Sequence, residues 1–223
     1  MWETLDRIDS PEDFIYDPSL VLYAPLHKKD GSSFMSDDAY GHLCTVTGAL
    51  WTPRGRSFDG VDDCIIISSN LGITGGDITI CVWFKPTAAG GAAAGVVSKY
   101  DNTAKVDYRI RNNASVLSVA RARPGITWDE TNAATAVYGQ WYHLTLNYRG
   151  TTLSFYLDGE LFDAITVSGS GKGDYATETI IGRGTASNTN LVTGLVGEVM
   201  VYNRALTALE IQRNYLSTKF RYR

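Results

Sequence analysis

The sequence predicts an all-β protein, a sandwich or barrel of short strands with one short helix near the C-terminal end. Three observations carry that prediction. From Leu20 onward, short β-rich runs alternate with clusters of Gly, Asn, Asp and Ser, the texture of a strand-and-turn architecture. The run Thr152 to Phe162 contains a complete hairpin, and Thr207 to Glu210 carries the signature of a helix start. With 44% hydrophobic and 20% charged residues in 223, the chain can fill a sizeable core, which excludes a disordered protein. Sandwiches of this length form single domains, so 19–223 is read as one domain with a basic tail.

In chain order the expected strands are 20–26, 43–47, 55–58, 62–68, 77–85, 95–100, 105–111, 115–121, 141–149, 152–157, 160–166, 178–182 and 194–202. No internal repeat at a fixed period joins them. Ala88 to Val97, built of Ala, Gly and Val alone, reads as a flexible loop entering a strand. In the hairpin, Asp158-Gly159 suits a two-residue type I′ loop, which needs φ > 0 at both positions. Centring the hairpin there sets Leu157 against Glu160, Tyr156 against Leu161 and Phe155 against Phe162. Leu153, Phe155 and Phe162 then share one buried face. The helix opens with a capping box, Thr207 and Glu210 bonding each other's backbone amides, and Leu206, Leu209 and Leu216 are its expected inward residues.

Charge and cysteine content narrow the function. Lys plus Arg number 20 against 24 Asp plus Glu, for a net charge of −4 and a pI near 5.4. No domain-wide basic field recruits nucleic acid, and no run approaches the roughly 18 apolar residues of a membrane span. Neither nucleic-acid binding nor membrane insertion is therefore expected. Residues 1–18 carry six acids against one base and lack the apolar core of a secretory signal, so they are read as an acidic extension. That extension is expected to pair with the basic-aromatic tail 219–223, or to engage a neighbouring subunit. Cys44, Cys64 and Cys81 are odd in number and lack C-x-x-C spacing, against a zinc site or a disulfide framework. Three buried free thiols is the leading reading, ahead of a Cys64–Cys81 bridge and a catalytic thiol.

Five segments in a fixed order carry a family likeness: SFDGVDDCIII (57–67), DITICVWFKP (77–86), GQWYHLTLNYRG (139–150), IIGR (180–183) and GEVMVYNRALTALEI (197–211). Over roughly residues 20–217, this resembles the laminin-G-like jelly rolls of the concanavalin A-like lectin/glucanase superfamily. The resemblance implies a two-sheet antiparallel jelly-roll sandwich with one short C-terminal helix. That superfamily includes lectins, glycosidases, adhesion modules and structural domains, so the site has to be argued separately.

Catalysis is not expected. Glycoside hydrolysis needs two carboxylates across a cleft. None of the glutamates Glu3, Glu12, Glu130, Glu160, Glu178, Glu198 and Glu210 begins the Glu-x-Asp-x-(x)-Glu strand of the glucanase branch. Nucleophile elbow, P-loop and H-E-x-x-H motifs are absent from the sequence as well. Calcium, in a structural role, is the candidate cofactor. Asp59, Asp62 and Asp63 surround Gly60 as hard oxygen donors, with Glu198 added because the resemblance implies a late-strand acid. The late strand reads Gly197-Glu198-Val199 where the family often has Asp-Glu-Val, and the competing reading is a solvated turn.

Trp128 lies in the polar segment RARPGITWDE (121–130), outside the recurring pattern, whereas Trp51, Trp83 and Trp141 read as packing residues. Trp128 is a candidate sugar-stacking residue, with Arg123, Asp129 and Tyr138 as polar neighbours; its competing role is that of a loop anchor. The expected function is a non-catalytic binding or adhesion module that recognises a glycan or surface polymer through rim loops. Loops 86–95, 121–138, 167–177 and 184–193 are the places for specificity. The alternative is a structural virion protein, a capsid decoration or tail fibre, acting through homo-oligomeric or virion partners. A virion or extracellular surface is the favoured location.

Overall fold

A computed structural model of the chain describes residues 17–68, 71–73, 76–100, 106–123, 127–167, 178–184 and 190–223. The β-rich runs become strands β1 (Leu20–Ala24), β2 (Ser33–Met35), β3 (Leu43–Thr47), β4 (Leu50–Thr52), β5 (Gly55–Asp59) and β6 (Cys64–Ile67). They continue as β7 (Ile78–Pro86), β8 (Gly90–Tyr100), β9 (Val106–Ala114), β10 (Val116–Arg123), β11 (Thr127–Glu130) and β12 (Ala134–Thr135). The series closes with β13 (Tyr142–Arg149), β14 (Thr152–Leu157), β15 (Glu160–Thr166), β16 (Thr179–Ile181), β17 (Thr193–Tyr202) and helix α1 (Ala208–Thr218). Two antiparallel sheets result. The first runs β15-β14-β13-β7-β17-β5-β4, with β1 also on β17; the second runs β11-β10-β9-β8-β16-β6-β3-β2, with β12 on β10.

The core lies between the sheets. Ile80, Val82, Phe84, Leu144, Leu146, Leu153, Phe155, Val199 and Val201 from the first meet Ile65, Ile67, Val97, Ile110, Leu117, Val119 and Ile181 from the second. Strand β7 is buried along nearly its whole length rather than at alternate residues. Its second face, with Cys81 and Trp83, is covered by α1 and the C-terminal segment. A strand sandwiched on both sides has no solvent face to mark with polar residues.

Each expected strand is present to within a few residues. The four it lacked, β2, β4, β11 and β12, are two to four residues long, too short for alternation to register. The three cysteines are buried and free. Three expectations need correction. First, Ala88 to Val97 is not a flexible loop, because β8 begins at Gly90. Its small residues answer a close backbone approach: a Cβ on Gly90 would lie 2.4 Å from the Asn112 carbonyl, and on Gly95 2.7 Å from that of Arg183.

Second, the hairpin turns at Asp158 (φ +50°) and Gly159 (φ +82°), with Leu157 opposite Glu160 and Tyr156 opposite Leu161, as expected. A register shift then pairs Phe155 with Asp163. Phe162 becomes the extra residue, 45% exposed, its ring edge-on to Phe155 at 5.4 Å.

Third, α1 has its capping box, the Thr207 N–H donating to Glu210 Oε2 (2.7 Å) and the Glu210 N–H to Thr207 Oγ1 (3.3 Å). Leu206 is buried, but Leu209 and Leu216 are 66% and 48% exposed. The helix is oriented instead by polar bonds, Asn214 Nδ2 donating to the Tyr202 hydroxyl (3.0 Å) and Trp83 Nε1 to Thr218 Oγ1 (2.8 Å). Those bonds turn Ile211, Asn214 and Thr218 inward.

The expected pairing of the acidic extension with the tail falls almost wholly outside the described residues. Arg204 takes Asp17 (2.7 Å) together with Glu210, while the tail's Arg221 turns to Glu198. Residues 1–16 of the acidic extension lie outside the described residues.

Gly182 tests the packing at the end of β16. It has φ +91°, and a Cβ there would sit 2.3 Å from the Phe58 ring. Gly182→Ala is expected to cost about 2–4 kcal/mol in urea unfolding, from positive-φ strain plus overpacking. An unchanged midpoint would contradict this packing.

Candidate functional site

Side chains alternate across β9, β10 and β11, so the three strands present two different faces. Tyr108, Ile110, Leu117 and Val119 point into the core. Arg109, Arg111, Ser118, Ala120, Trp128 and Glu130 take the other face, brought together by the pairs Ser118–Arg111, Ala120–Arg109, Ala120–Glu130 and Ala122–Trp128. There the Arg109 guanidinium lies over the half-buried Trp128 ring, 4.3 Å from its centroid, and donates to the Ala93 carbonyl at 3.2 Å. Arg111 pairs with Glu130, whose other carboxylate oxygen accepts from the Ser118 hydroxyl. The product is a flat indole seated on a fixed cation, beside a row of polar groups already oriented by one another. Chemically it can stack an apolar ring face and hydrogen-bond what projects from that ring.

Of the residues expected to contact ligand whose side chains are described, Trp128 alone is on this face. It stands on a strand, β11, and not in a loop. Asp129 points the opposite way, across from Arg121, whose guanidinium covers the Tyr148 ring at 3.6 Å. Tyr138 is exposed but remote. Trp128 is level with Ala122 of β10 and Thr135 with Val116, six residue steps or about 20 Å apart, and Tyr138 follows Thr135. The Arg123 side chain lies outside the described residues. Arg109, Arg111, Ser118 and Glu130 are the companions that sequence reading missed. Their signal was period-two spacing, Arg109-x-Arg111 and Trp128-x-Glu130, in strands whose pairing was unknown.

The aspartates do converge. Asp59, Asp62 and Asp63 each offer an oxygen within 4.8 Å of the others. The Asp59 N–H donates to Asp63 Oδ2 at 2.8 Å across the turn at Gly60 (φ +82°). Burial, and then the charges of Asp59 and Asp62, hold the Asp63 carboxyl above its ordinary value. Gly48 (φ +70°) makes room for it, since a Cβ there would lie 1.8 Å from Asp63 Oδ1. Three convergent hard carboxylates fit a calcium ion by donor chemistry.

Glu198 is not placed with them. It is buried on β17, accepting from the Tyr23 hydroxyl (3.1 Å) and facing Arg221 Nη1 at 3.5 Å. Burial pushes its carboxyl up to about 7, against the opposing pull of Arg221 and Tyr23. His143 is held neutral by burial, at about 3.

A carboxyl raised from 4.5 to about 7 on folding stabilises the protein below the lower value, and that contribution is lost as pH rises through the higher one. Glu198→Gln does not titrate. The variant is therefore expected to gain on the wild type between pH 5 and 8, by about 3 kcal/mol at ~1.4 kcal/mol per pKa unit. Chemical unfolding at both pH values checks this; a pH-independent difference would contradict it.

A family profile described as the concanavalin A-like lectin/glucanases superfamily matches residues 59–212. No curated protein matches the chain in sequence. Among solved structures, the binding domain of botulinum neurotoxin serotype D is 10% identical at a TM-score of 0.70, covering 90% of this chain and 52% of its own. The binding domain of botulinum neurotoxin DC, in complex with SialylT, is 12% identical at 0.70, covering 89% and 51%. The sialidase of Trypanosoma rangeli, in complex with sialic acid, is 17% identical at 0.68, covering 91% and 33%. At such identities the likeness is one of fold. The chain spans about half the length of the neurotoxin binding domains it matches.

Proposed function

The chain belongs to the concanavalin A-like lectin/glucanases superfamily, and from that premise we propose that it is a non-catalytic module binding a glycan or surface polymer on the outer face of β9, β10 and β11. The observation that carries this reading is the Trp128 ring, half-buried on a strand and seated on Arg109, beside the Arg111–Glu130–Ser118 row. Rigid backing matters here, because a stacking residue that is already immobile loses little entropy on binding. The described face carries one carboxylate, Glu130, already engaged by Arg111 and Ser118, whereas glycoside hydrolysis needs two across a cleft. Calcium at Asp59, Asp62 and Asp63 belongs to the same proposal in a structural role, closing the Gly60 turn.

A second reading, assembly into an oligomer or virion, is favoured by apolar residues exposed on the edge strands β2 and β4 and on β3 beside β2. Leu50 is 70% exposed on β4, and the paired Met35 and Leu43 are 51% and 53% exposed on β2 and β3. Uncovered edges of this kind template further pairing. Light scattering discriminates, since stable oligomers support assembly.

The test is a glycan array probed in calcium and again in chelator, with Trp128→Ala alongside. Wild type is expected to bind a coherent set of glycans in both buffers. Trp128→Ala should lose at least about tenfold, or ~1.4 kcal/mol, with its melting temperature within a few degrees of wild type. Equal binding by wild type and variant would remove Trp128 from the site. For the metal, calcium is expected to raise the melting temperature of wild type by a few degrees and to leave that of Asp62→Asn unmoved.

A further inference from the structure

Buried polar atoms in folded proteins find hydrogen-bond partners almost without exception. On the outer face of the first sheet, several do not. Trp83 of β7 and Trp141, just before β13, hold the Tyr222 ring between them, at 4.6 Å and 25° on one side and 4.7 Å and 53° on the other. Gly197 of β17 forms the floor, where a Cβ would come within 2.3 Å of that ring. Shape is thus well matched. Yet the Tyr222 hydroxyl, the Trp141 indole nitrogen and both ring nitrogens of His143 are buried with no hydrogen-bond partner. His143 belongs to the same cluster, level with Trp83 across the β7–β13 pair and 5.2 Å from its ring.

The segment supplying Tyr222 is held by that tyrosine's ring more than by its backbone, where the Tyr222 N–H donates locally, to the Lys219 carbonyl. Beyond Thr218, Lys219–Arg221 form a single 3-10 turn rather than a strand of the sheet. Arg221 approaches the buried Glu198 at 3.5 Å, longer than a good charge-assisted bond, and Phe220 is 59% exposed.

We infer that the slot between Trp83 and Trp141 is a second ligand site, shaped for a pyranose ring, and that residues 219–222 close it by laying Tyr222 there in the ligand's place. A pyranose presents an apolar C–H face to an indole and hydroxyls around its rim. Those hydroxyls can accept from the Trp141 N–H and engage the His143 nitrogens, which a phenol ring leaves unmet. Glu198, released from Arg221, becomes an acceptor for a sugar hydroxyl. An aromatic side chain from a protein partner would only repeat what Tyr222 already does, leaving the same atoms unsatisfied. The polar mismatch therefore selects a sugar.

The site is separable from the one at Trp128, so every measurement is made on a Trp128→Ala background. The probes are methyl glycosides of glucose, galactose and N-acetylglucosamine, read by the Trp141 indole N–H resonance and by melting. Tyr222→Ala is expected to bind at least one probe roughly tenfold more tightly than protein retaining Tyr222, because the closed state no longer competes. The Trp141 resonance should shift as it binds. Tyr222→Phe, which removes the unsatisfied hydroxyl, should melt higher and bind more weakly still. A folded Tyr222→Ala protein whose Trp141 resonance ignores all three probes would overturn the inference. So would an unfolded Tyr222→Ala protein together with a folded Arg221→Ala protein that gains no binding, since the segment would then be a structural closure alone.

Discussion

Along one side β17 pairs with β7, and along the other first with β5 and then with β1. The strand latest in the chain thus occupies the centre of the first sheet, and β5, β4 and β1 reach that sheet only through it. Pairings of such high sequence separation must form before the core can close, which places the fold among the slower, topology-limited classes. The register shift between Val196 and Val199 falls in the middle of this strand. It carries Gly197, where Tyr222 packs, and Glu198, the acid buried beneath Arg221. Helix α1 and the C-terminal segment after it lie on the face that β17 completes.

The two sheets consequently differ in how they meet solvent. At β7 and β17 the first is covered on both sides, by the second sheet within and by α1 with Tyr215 and Tyr222 without. At β9 to β11 the second sheet turns only its inner side to the core, and its outer side carries the Arg109–Trp128 and Arg111–Glu130 pairs. A recognition surface needs rigidity and access together. Strands anchored by Ile110, Leu117 and Val119 supply the first, and the half-buried Trp128 ring with the exposed Glu130 supplies the second.

Much of the architecture was legible because its signals are local. Asp158-Gly159 dictates its own turn, Thr207 and Glu210 cap each other, and apolar runs such as ITICVWF announce strands by composition alone. What failed depended on partners distant in sequence. Phe162 left its expected face because of a bulge, and Leu209 and Leu216 lost the inward face to Asn214 and Thr218, whose bonds to Tyr202 and Trp83 no helical periodicity reveals. The same limit applies at the site. Trp128 stood out as an aromatic in a polar stretch, but its companion Arg109 lies 19 residues earlier and joins it only through β10. Asp129 was adjacent in sequence and points away for that very reason, strands alternating their faces.

The most direct test is hydrogen exchange of the wild-type protein, free and with a glycan selected on the array. Ligand-dependent protection is expected to concentrate in residues 106–130, with the edge strands β2 and β4, and β3 beside β2, unchanged. Protection confined to those edges, or absent with ligand bound, would contradict the assignment of recognition to the Trp128 face.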